Sequence, residues 1–174
     1  MNTTWELFVH GLKTMLNAEN KLVHALGEMA QESKTPELRQ AYSQHRKQTE
    51  GHAKRLIDIM RDLGESPEQL EAAGIEGLIE EKKSFMKEHP AEDILEVFNI
   101  SAGIKAERYE LSAYESLINM AQELGALKSA SLLKENLGEE EEALEKLKEF
   151  SGRIKPKLLG VKGSPEGGLP RKAA

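Results

Sequence analysis

Apolar residues recur at alternating steps of three and four positions along four stretches of the chain. This spacing keeps side chains on one face of an α-helix, so it predicts four long amphipathic helices. They span about residues 4–31, 36–63, 91–124 and 127–150. Thr35 and Pro36 form a helix start, and Gly64, Gly125 and Gly152 close three of the helices.

The connections between the predicted helices indicate how they pair. The first two and the last two are each joined by only a few residues, so each couple should pack antiparallel. Residues 64–90 form a long crossover, in which residues 66–68 start a helical stretch that Gly74 and Gly77 weaken. We expect one or two extra helices there. Two antiparallel hairpins joined by one long crossover predict an all-α fold of the ferritin-like four-helix-bundle type.

Acidic or histidine residues interrupt each apolar face at about the same depth. Glu110 lies 15 residues before the second turn at Gly125, and Glu140 lies 15 residues after it. Glu19 lies 15 residues before Lys34 in the first turn, which places it opposite residues 45–52 of the next helix. A buried carboxylate is costly unless it is paired, protonated or bound to a metal. The candidate metal ligands are Glu19, His45, His52, Glu107, Glu110 and Glu140.

The chemistry of these side chains indicates which ions they suit. Carboxylates and imidazoles that converge from four helices are typical of sites for one or two iron or manganese ions. Open coordination positions on such ions can bind peroxide or dioxygen. Either Glu107 or Glu110, one turn apart on the third helix, would bridge two ions.

Residues 5–150 resemble the bacterial YciF-like proteins, catalogued as domain of unknown function 892. The resemblance is carried by the segments AENKLVHAL, HRKQTEGHAKRL, GIEGLIEE, KAERYELSAYESL and LLKENLGEEEEALEKL. It implies a ferritin-like bundle in a family of dimers that is linked to stress response and to metal binding, without a settled reaction. The pair Glu107-x-x-Glu110 also resembles the third helix of rubrerythrins.

The chain departs from the usual ferritin-like ligand pattern, which has Glu-x-x-His on the second and fourth helices. The second helix offers Glu50-x-x-Ala53 or Thr49-x-x-His52, with His45 or His52 as a substitute ligand, and the fourth offers Glu140-x-x-Ala143. Glu50 lies one residue off the apolar face and is expected to be exposed. The carboxylates at 139, 141 and 142 are expected to point away from the interior. The sequence is therefore compatible with a site that has lost some ligands, with a site for a single ion, or with a metal-free polar layer. Tyr114, one turn beyond Glu110, either hydrogen-bonds a ligand or is purely structural.

Composition narrows the functional classes. Charged residues make up 31% of the chain and aromatic residues 5%, which suits helices, and the absence of cysteine excludes disulfides and thiolate chemistry. Residues 153–174 carry six basic side chains and one acidic one, so a tail of +5 leaves −11 on the rest of a chain whose total is −6. The acidic body disfavours nucleic acid. We expect one domain over residues 1–152 and a disordered, basic tail that contains Gly and Pro over residues 153–174.

The remaining expectations concern location and activity. No apolar run approaches the roughly 20 residues that span a bilayer, and the polar start lacks a leader pattern, so we expect a cytoplasmic protein. The first hypothesis is a homodimeric, metal-binding protein that reacts with peroxide or dioxygen. Its enzymatic activity is left open, because the alternative is a non-enzymatic stress protein whose polar layer holds no metal and serves assembly. An iron-storage cage is the third choice.

Overall fold

The computed structural model describes residues 1–153, and every regular element in that range is an α-helix. The helices are α1 (Thr4–Glu32), α2 (Pro36–Asp62), α3 (Ala73–Met86), α4 (Glu92–Glu123) and α5 (Leu127–Gly152). The predicted all-α class is confirmed, and each long helix ends within two residues of its predicted bounds. Of the predicted tail, residues 154–174 lie outside the described residues. None of the helices in residues 1–153 has the length and apolar character needed to cross a membrane.

Local signals set the helix ends largely as expected. Gly64 and Gly125 follow α2 and α4 with φ of 74° and 73°, the left-handed conformation that glycine adopts most readily. Thr35 occupies the N-cap of α2, but its hydroxyl makes no capping bond and instead donates to Oε1 of Glu96 on α4 at 2.7 Å. The backbone N–H groups of Lys34 and Thr35 donate to the other oxygen of Glu96. One carboxylate therefore ties the α1–α2 turn to α4.

The crossover contains one helix, and the expectation of a helical stretch at residues 66–68 is wrong. Residues 65–72 are not helical, because their polar groups bond to α1 instead. The N–H of Leu70 donates to the carbonyl of Lys13 at 3.2 Å, and the N–H of Ala72 donates to Oδ1 of Asn17 at 3.1 Å. Gly74 then lets α3 approach α4, since a Cβ at this position would lie 2.5 Å from the ring of Tyr109.

The long helices pack in a ring of neighbours around the interior. α1 packs along α2 and α4 along α5, while α1 also contacts α4 and α2 contacts α5. Helix α3 lies against α4 and α1. The apolar faces form a larger cluster, which includes Phe8, Leu12, Leu56 and Leu133, and a smaller one around Tyr42.

A polar layer separates these two clusters. On α2 the smaller cluster ends at Tyr42 and the larger begins at Ala53. On α5 the larger cluster ends at Leu133 and the smaller begins at Leu147. The buried residues between these bounds are mainly polar, in contrast to the apolar positions on either side. The interruptions of the apolar pattern thus meet at one level of the fold.

Candidate metal centre

All six predicted ligands lie in the polar layer with buried side chains. Glu19, His52 and Glu140 are 0% exposed, Glu107 and Glu110 are 2% exposed, and His45 is 8% exposed. Their helices are the ones assigned from periodicity: α1 for Glu19, α2 for both histidines, α4 for the Glu107–Glu110 pair and α5 for Glu140. The convergence at one depth that the sequence predicts is therefore present.

Glu140 lies at the centre and divides the site into two groups. Nε2 of His45 is 3.2 Å from Oε1 of Glu107 and 3.2 Å from Oε2 of Glu140. Nδ1 of His52 is 2.8 Å from Oε1 of Glu140 and 3.6 Å from Oε2 of Glu19. In each group, one ligand atom from each residue lies within 4.8 Å of the others, which is close enough for a single cation to contact all three. Each oxygen of Glu140 therefore belongs to a different three-residue group.

Glu110 is buried beside these groups without belonging to either. Its Oε1 has no hydrogen-bond partner, and the charges of Glu140, Glu19 and Glu107 all act on it. It could serve as a further oxygen ligand to an ion held by either group, which agrees with the bridging role considered for the Glu107–Glu110 pair.

Many polar atoms in the layer have no hydrogen-bond partner although they are buried. The seven are Oε2 of Glu19, Nδ1 of His45, Nδ1 of His52, Oε2 of Glu107, Oε1 of Glu110 and both carboxylate oxygens of Glu140. Several of them lie near one another, such as Nδ1 of His52 and Oε1 of Glu140 at 2.8 Å, which can form an ion pair while the ring is protonated. A buried acceptor without a partner costs about 1–3 kcal/mol, so a cluster of them is expensive unless something else satisfies it. A cation placed among these lone pairs would do so.

Burial and charge shift the protonation of the layer. Burial raises the pKa of Glu19 and of Glu110, and it raises that of Glu107 to about 7 against the opposing effect of His45. Glu140 is the exception, because His45 and His52 outweigh burial and lower its pKa. Without a cation, burial therefore favours the protonated form of these three carboxyl groups, whereas the two histidines favour the ionised form of Glu140.

The two histidines carry the complementary charge. Burial by itself would lower the pKa of each ring, but the facing carboxylates outweigh it. Glu107 and Glu140 raise the pKa of His45, while Glu140 and Glu19 raise that of His52 to about 10. Cation binding would therefore have to displace protons from both rings and from the protonated acids.

A hydrogen-bond network on the outer side of His52, which the sequence analysis did not predict, fixes the ring through Nε2. Its Nε2 lies 2.8 Å from Oε2 of Glu139, whose other oxygen accepts from Nη2 of Arg55 at 2.6 Å. The expectation that Glu139 points away from the interior is wrong, since its side chain is only 28% exposed and contacts the buried ring. Because Nε2 donates to Glu139, Nδ1 is left as the nitrogen that faces Glu19 and Glu140.

The same network reaches Glu19 through an amide and a phenol. Nη1 of Arg55 donates to Oδ1 of Asn136 at 2.6 Å, and Nδ2 of Asn136 donates to the hydroxyl of Tyr114 at 2.9 Å. The Tyr114 hydroxyl in turn donates to Oε1 of Glu19. Of the two readings of Tyr114, the structure shows the one in which it bonds a candidate ligand.

Helical spacing contained a signal for some of these residues. Asn136 and Glu139 lie four and one positions before Glu140 on α5, and Arg55 lies three positions after His52 on α2. Residues three or four positions apart share a helix face, so spacing gives a signal for Asn136 and Arg55, whereas Glu139 lies about 100° around the helix from Glu140 and gives none. Glu50, by contrast, is exposed and pairs with Arg46. Of the two alternatives on α2, the inward-facing one is therefore Thr49-x-x-His52.

Comparison with known proteins identifies relatives of similar length and fold. The family model described as "Domain of unknown function (DUF892)" matches residues 3–158. Protein YciF of Escherichia coli (strain K12) is 31% identical over 141 residues, which cover 80% of this chain and 85% of YciF. The resemblance stated from the sequence is thereby confirmed.

Solved structures agree with this. The crystal structure of the E. coli stress protein YciF aligns with a TM-score of 0.83 at 30% identity over 88% of this chain and 98% of YciF. YcfI from Rhodopseudomonas palustris aligns with a TM-score of 0.81 at 30% identity over 84% of this chain and 94% of YcfI. A protein from Xanthomonas campestris pv. campestris, 20% identical over 91% of this chain and 97% of its own, shares the fold with a TM-score of 0.74.

Proposed function

Because this chain belongs to the DUF892 family, we propose that it is a ferritin-like four-helix-bundle protein that binds one or two iron or manganese ions in its polar layer. The ring of contacts among α1, α2, α4 and α5, with α3 in the crossover, supports the ferritin-like assignment. Because neither α2 nor α5 carries a Glu-x-x-His motif, the nitrogen ligands are limited to His45 and His52, both on α2.

The observation that carries the proposal is the position of Glu140. Its oxygens face His45 on one side and His52 on the other, and each histidine also faces a further carboxylate, Glu107 or Glu19. A carboxylate shared in this way is the arrangement that lets two cations sit close together in a bundle. The unpartnered buried lone pairs of the same residues fit such ions and are poorly explained by hydrogen bonding alone.

Bound iron or manganese would supply electron transfer to peroxide or dioxygen. We propose a protective role of this kind under stress, since the E. coli relative is described as a stress protein. The chain's own residues would orient the ligands: Glu139 holds His52 through Nε2, and Tyr114 holds Glu19 through its hydroxyl. The apolar clusters on either side keep bulk water from the layer.

The proposal extends to assembly and location, with a homodimer in the cytoplasm whose acidic body does not bind nucleic acid. Sedimentation velocity tests the oligomeric state, because a monomer or a shell of many subunits would sediment at a clearly different rate from a dimer. A shell of many subunits would support the alternative of an iron-storage cage.

A non-enzymatic role is the second candidate, and the charge pattern of the layer favours it. The raised pKa values of both histidines and the lowered pKa of Glu140 describe ions that can pair without a metal. In that case the layer would specify helix register, and the protein would act in assembly.

Metal content per chain, measured by elemental analysis after growth with iron and manganese, decides between the two. We expect up to two ions in the wild type, loss of both in Glu140→Gln, and loss of one each in Glu19→Gln and Glu107→Gln. Glu141→Gln is the matched control, because Glu141 is the next residue on α5 and is exposed. A wild type that stays free of metal after reconstitution would overturn the proposal in favour of the metal-free layer.

Activity is tested separately on the loaded protein. Peroxide consumption above that of the same concentration of free metal is the expected result. If the metal-loaded protein shows no such rate, the proposed metal site would still stand but the proposed redox role would be rejected.

A further inference from the structure

A small surface cavity lies between α2 and α5, directly over one side of the polar layer. It measures about 20 Å³, and its wall includes Ala41, Gln48, Ala143 and Lys146. Ala41, Gln48 and Lys146 are half-buried at its rim, whereas Ala143 is 6% exposed. His45 also lines it, and the other five candidate ligands do not. His45 is also the most exposed of the six at 8%, so the cavity reaches the centre at the His45 side.

The opposite side of the centre is covered. His52 is fully buried, and its outward nitrogen is occupied by Glu139, which Arg55 holds in place. A larger cavity of about 410 Å³ between α1, α3 and α4 touches none of the six candidate ligands. The described residues therefore provide an approach at His45 and a closed wall at His52.

We infer that the cavity between α2 and α5 is the path by which a molecule of the size of water, hydrogen peroxide or dioxygen reaches the metal centre, and that it arrives at the His45–Glu107–Glu140 group. The inference rests on the proposed function. A space of about 20 Å³ accommodates a water-sized molecule but no organic substrate. Two of the seven residues that line this path are alanines, Ala41 and Ala143, and longer side chains at these positions would narrow the space between the helices.

Two consequences follow for the centre. The two three-residue groups are not equivalent, since within residues 1–153 His45 lines a surface cavity whereas Glu139 covers the outward nitrogen of His52. Bulky oxidants would be excluded by the dimensions of the path rather than by the chemistry of the ions. Ala143 and Gln48 thus determine specificity through access, although neither belongs to the ligand set.

The test uses azide as the probe on ferric protein, with its binding rate followed by absorbance in stopped flow. Ala143→Val narrows the path and should slow azide binding on the order of tenfold, whereas Gln48→Ala widens it and should accelerate binding. Ala130→Val is the matched control, because Ala130 is equally buried on α5 but lies in the larger apolar cluster away from the cavity. The water-proton relaxation of manganese-loaded protein gives a second readout, which should fall in Ala143→Val alone.

The outcomes separate this inference from the proposed function. Metal content equal to the wild type with unchanged azide rates in both Ala143→Val and Gln48→Ala would overturn the path and leave the metal site standing. A wild type without metal would overturn both. Should Ala143→Val fail to fold, Gln48→Ala still decides, since Gln48 is half-buried and its truncation leaves the core packing unchanged.

Discussion

Nδ1 of His52 lies 2.8 Å from Oε1 of Glu140, a distance that suits an ion pair between two buried groups when the ring is protonated. The ring is held from its other nitrogen by Glu139, and the carboxylate is directed toward both histidines at once. A buried carboxylate shared by two rings can pair with protonated histidines or, once the rings lose their protons, offer its lone pairs to a cation. This shared position of Glu140 leads to four predictions about protein with and without metal.

The stability of the metal-free protein should fall as the pH rises from about 5 to 10. An ordinary glutamate has a pKa of about 4.3, and burial raises that of Glu107 to about 7 and those of Glu19 and Glu110 in the same direction. The folded state thus binds more protons than the unfolded state above about pH 4, which makes unfolding easier as the pH rises. The stability that His52 contributes below its unfolded pKa is lost as the pH passes its folded pKa of about 10.

Glu140 has the opposite effect on the free energy of unfolding at acidic pH. Its lowered pKa contributes stability above the unfolded glutamate value and loses it as the pH falls below that value. Urea denaturation at pH 5, 7 and 9 with a chelator present should give a free energy of unfolding that declines steadily. A flat or rising profile would contradict the burial and charges assigned to the layer. With manganese present the slope should reverse, because metal and protons compete for the same atoms.

Glu110→Gln should stabilise the metal-free protein near pH 8 by about 1–2 kcal/mol while weakening metal binding. The wild-type side chain is 2% exposed and faces other acids, so near pH 8 it must either keep a proton that the unfolded chain releases or ionise beside those acids. A neutral amide avoids both costs. The same change deletes an anionic ligand. Glu115→Gln is the control, because Glu115 is exposed on α4. Thermal denaturation with and without manganese checks both halves, and a variant that is less stable without metal would contradict the assignment of Glu110.

Tyr114→Phe should cost about 1–2 kcal/mol and Tyr42→Phe should cost nothing or stabilise. Both phenols are almost fully buried, at 0% and 1% exposure. The hydroxyl of Tyr114 donates to Glu19 and accepts from Asn136, whereas the hydroxyl of Tyr42 has no partner. Chemical denaturation of the two variants gives the comparison. Equal effects would show that the Tyr114 hydrogen bonds contribute little.

Tyr114→Phe should also weaken metal binding at the His52 side, since Glu19 loses the group that orients it. Tyr42→Phe should leave metal content unchanged. Titration with manganese, followed by its electron paramagnetic resonance signal, separates this effect from stability alone.

Glu139→Gln should lower metal affinity about 10–100-fold, the usual cost of losing an outer partner of a histidine ligand. The amide weakens both the contact to Nε2 of His52 and the ion pair with Arg55, so Nδ1 is no longer directed at the centre. Glu135→Gln is the matched control, because Glu135 meets the same arginine at 3.5 Å from an exposed position. Isothermal titration with manganese measures both variants, and equal affinities would mean that Glu139 has no orienting role.

Much of this protein follows from its sequence alone. Helix formation is local, so the steps of three and four residues suffice to predict the four long helices and their inward faces. Gly64 and Gly125 mark helix ends through the backbone conformation that glycine permits, and they do so independently of the rest of the fold. Equal distances from the two turns also place Glu19, Glu110 and Glu140 at one level, because antiparallel helices rise by the same amount per residue.

Only the tertiary structure decided which atoms meet. That Glu140 is shared between the two histidines, and that Glu139 bends inward to His52, depends on helix rotation and side-chain rotamers, which periodicity does not specify. The irregular path of residues 65–72 likewise follows from bonds to Lys13 and Asn17 on another helix. The local sequence pattern thus determines which residues form the polar layer, whereas their pairing and the cavity beside His45 arise from contacts between distant parts of the chain.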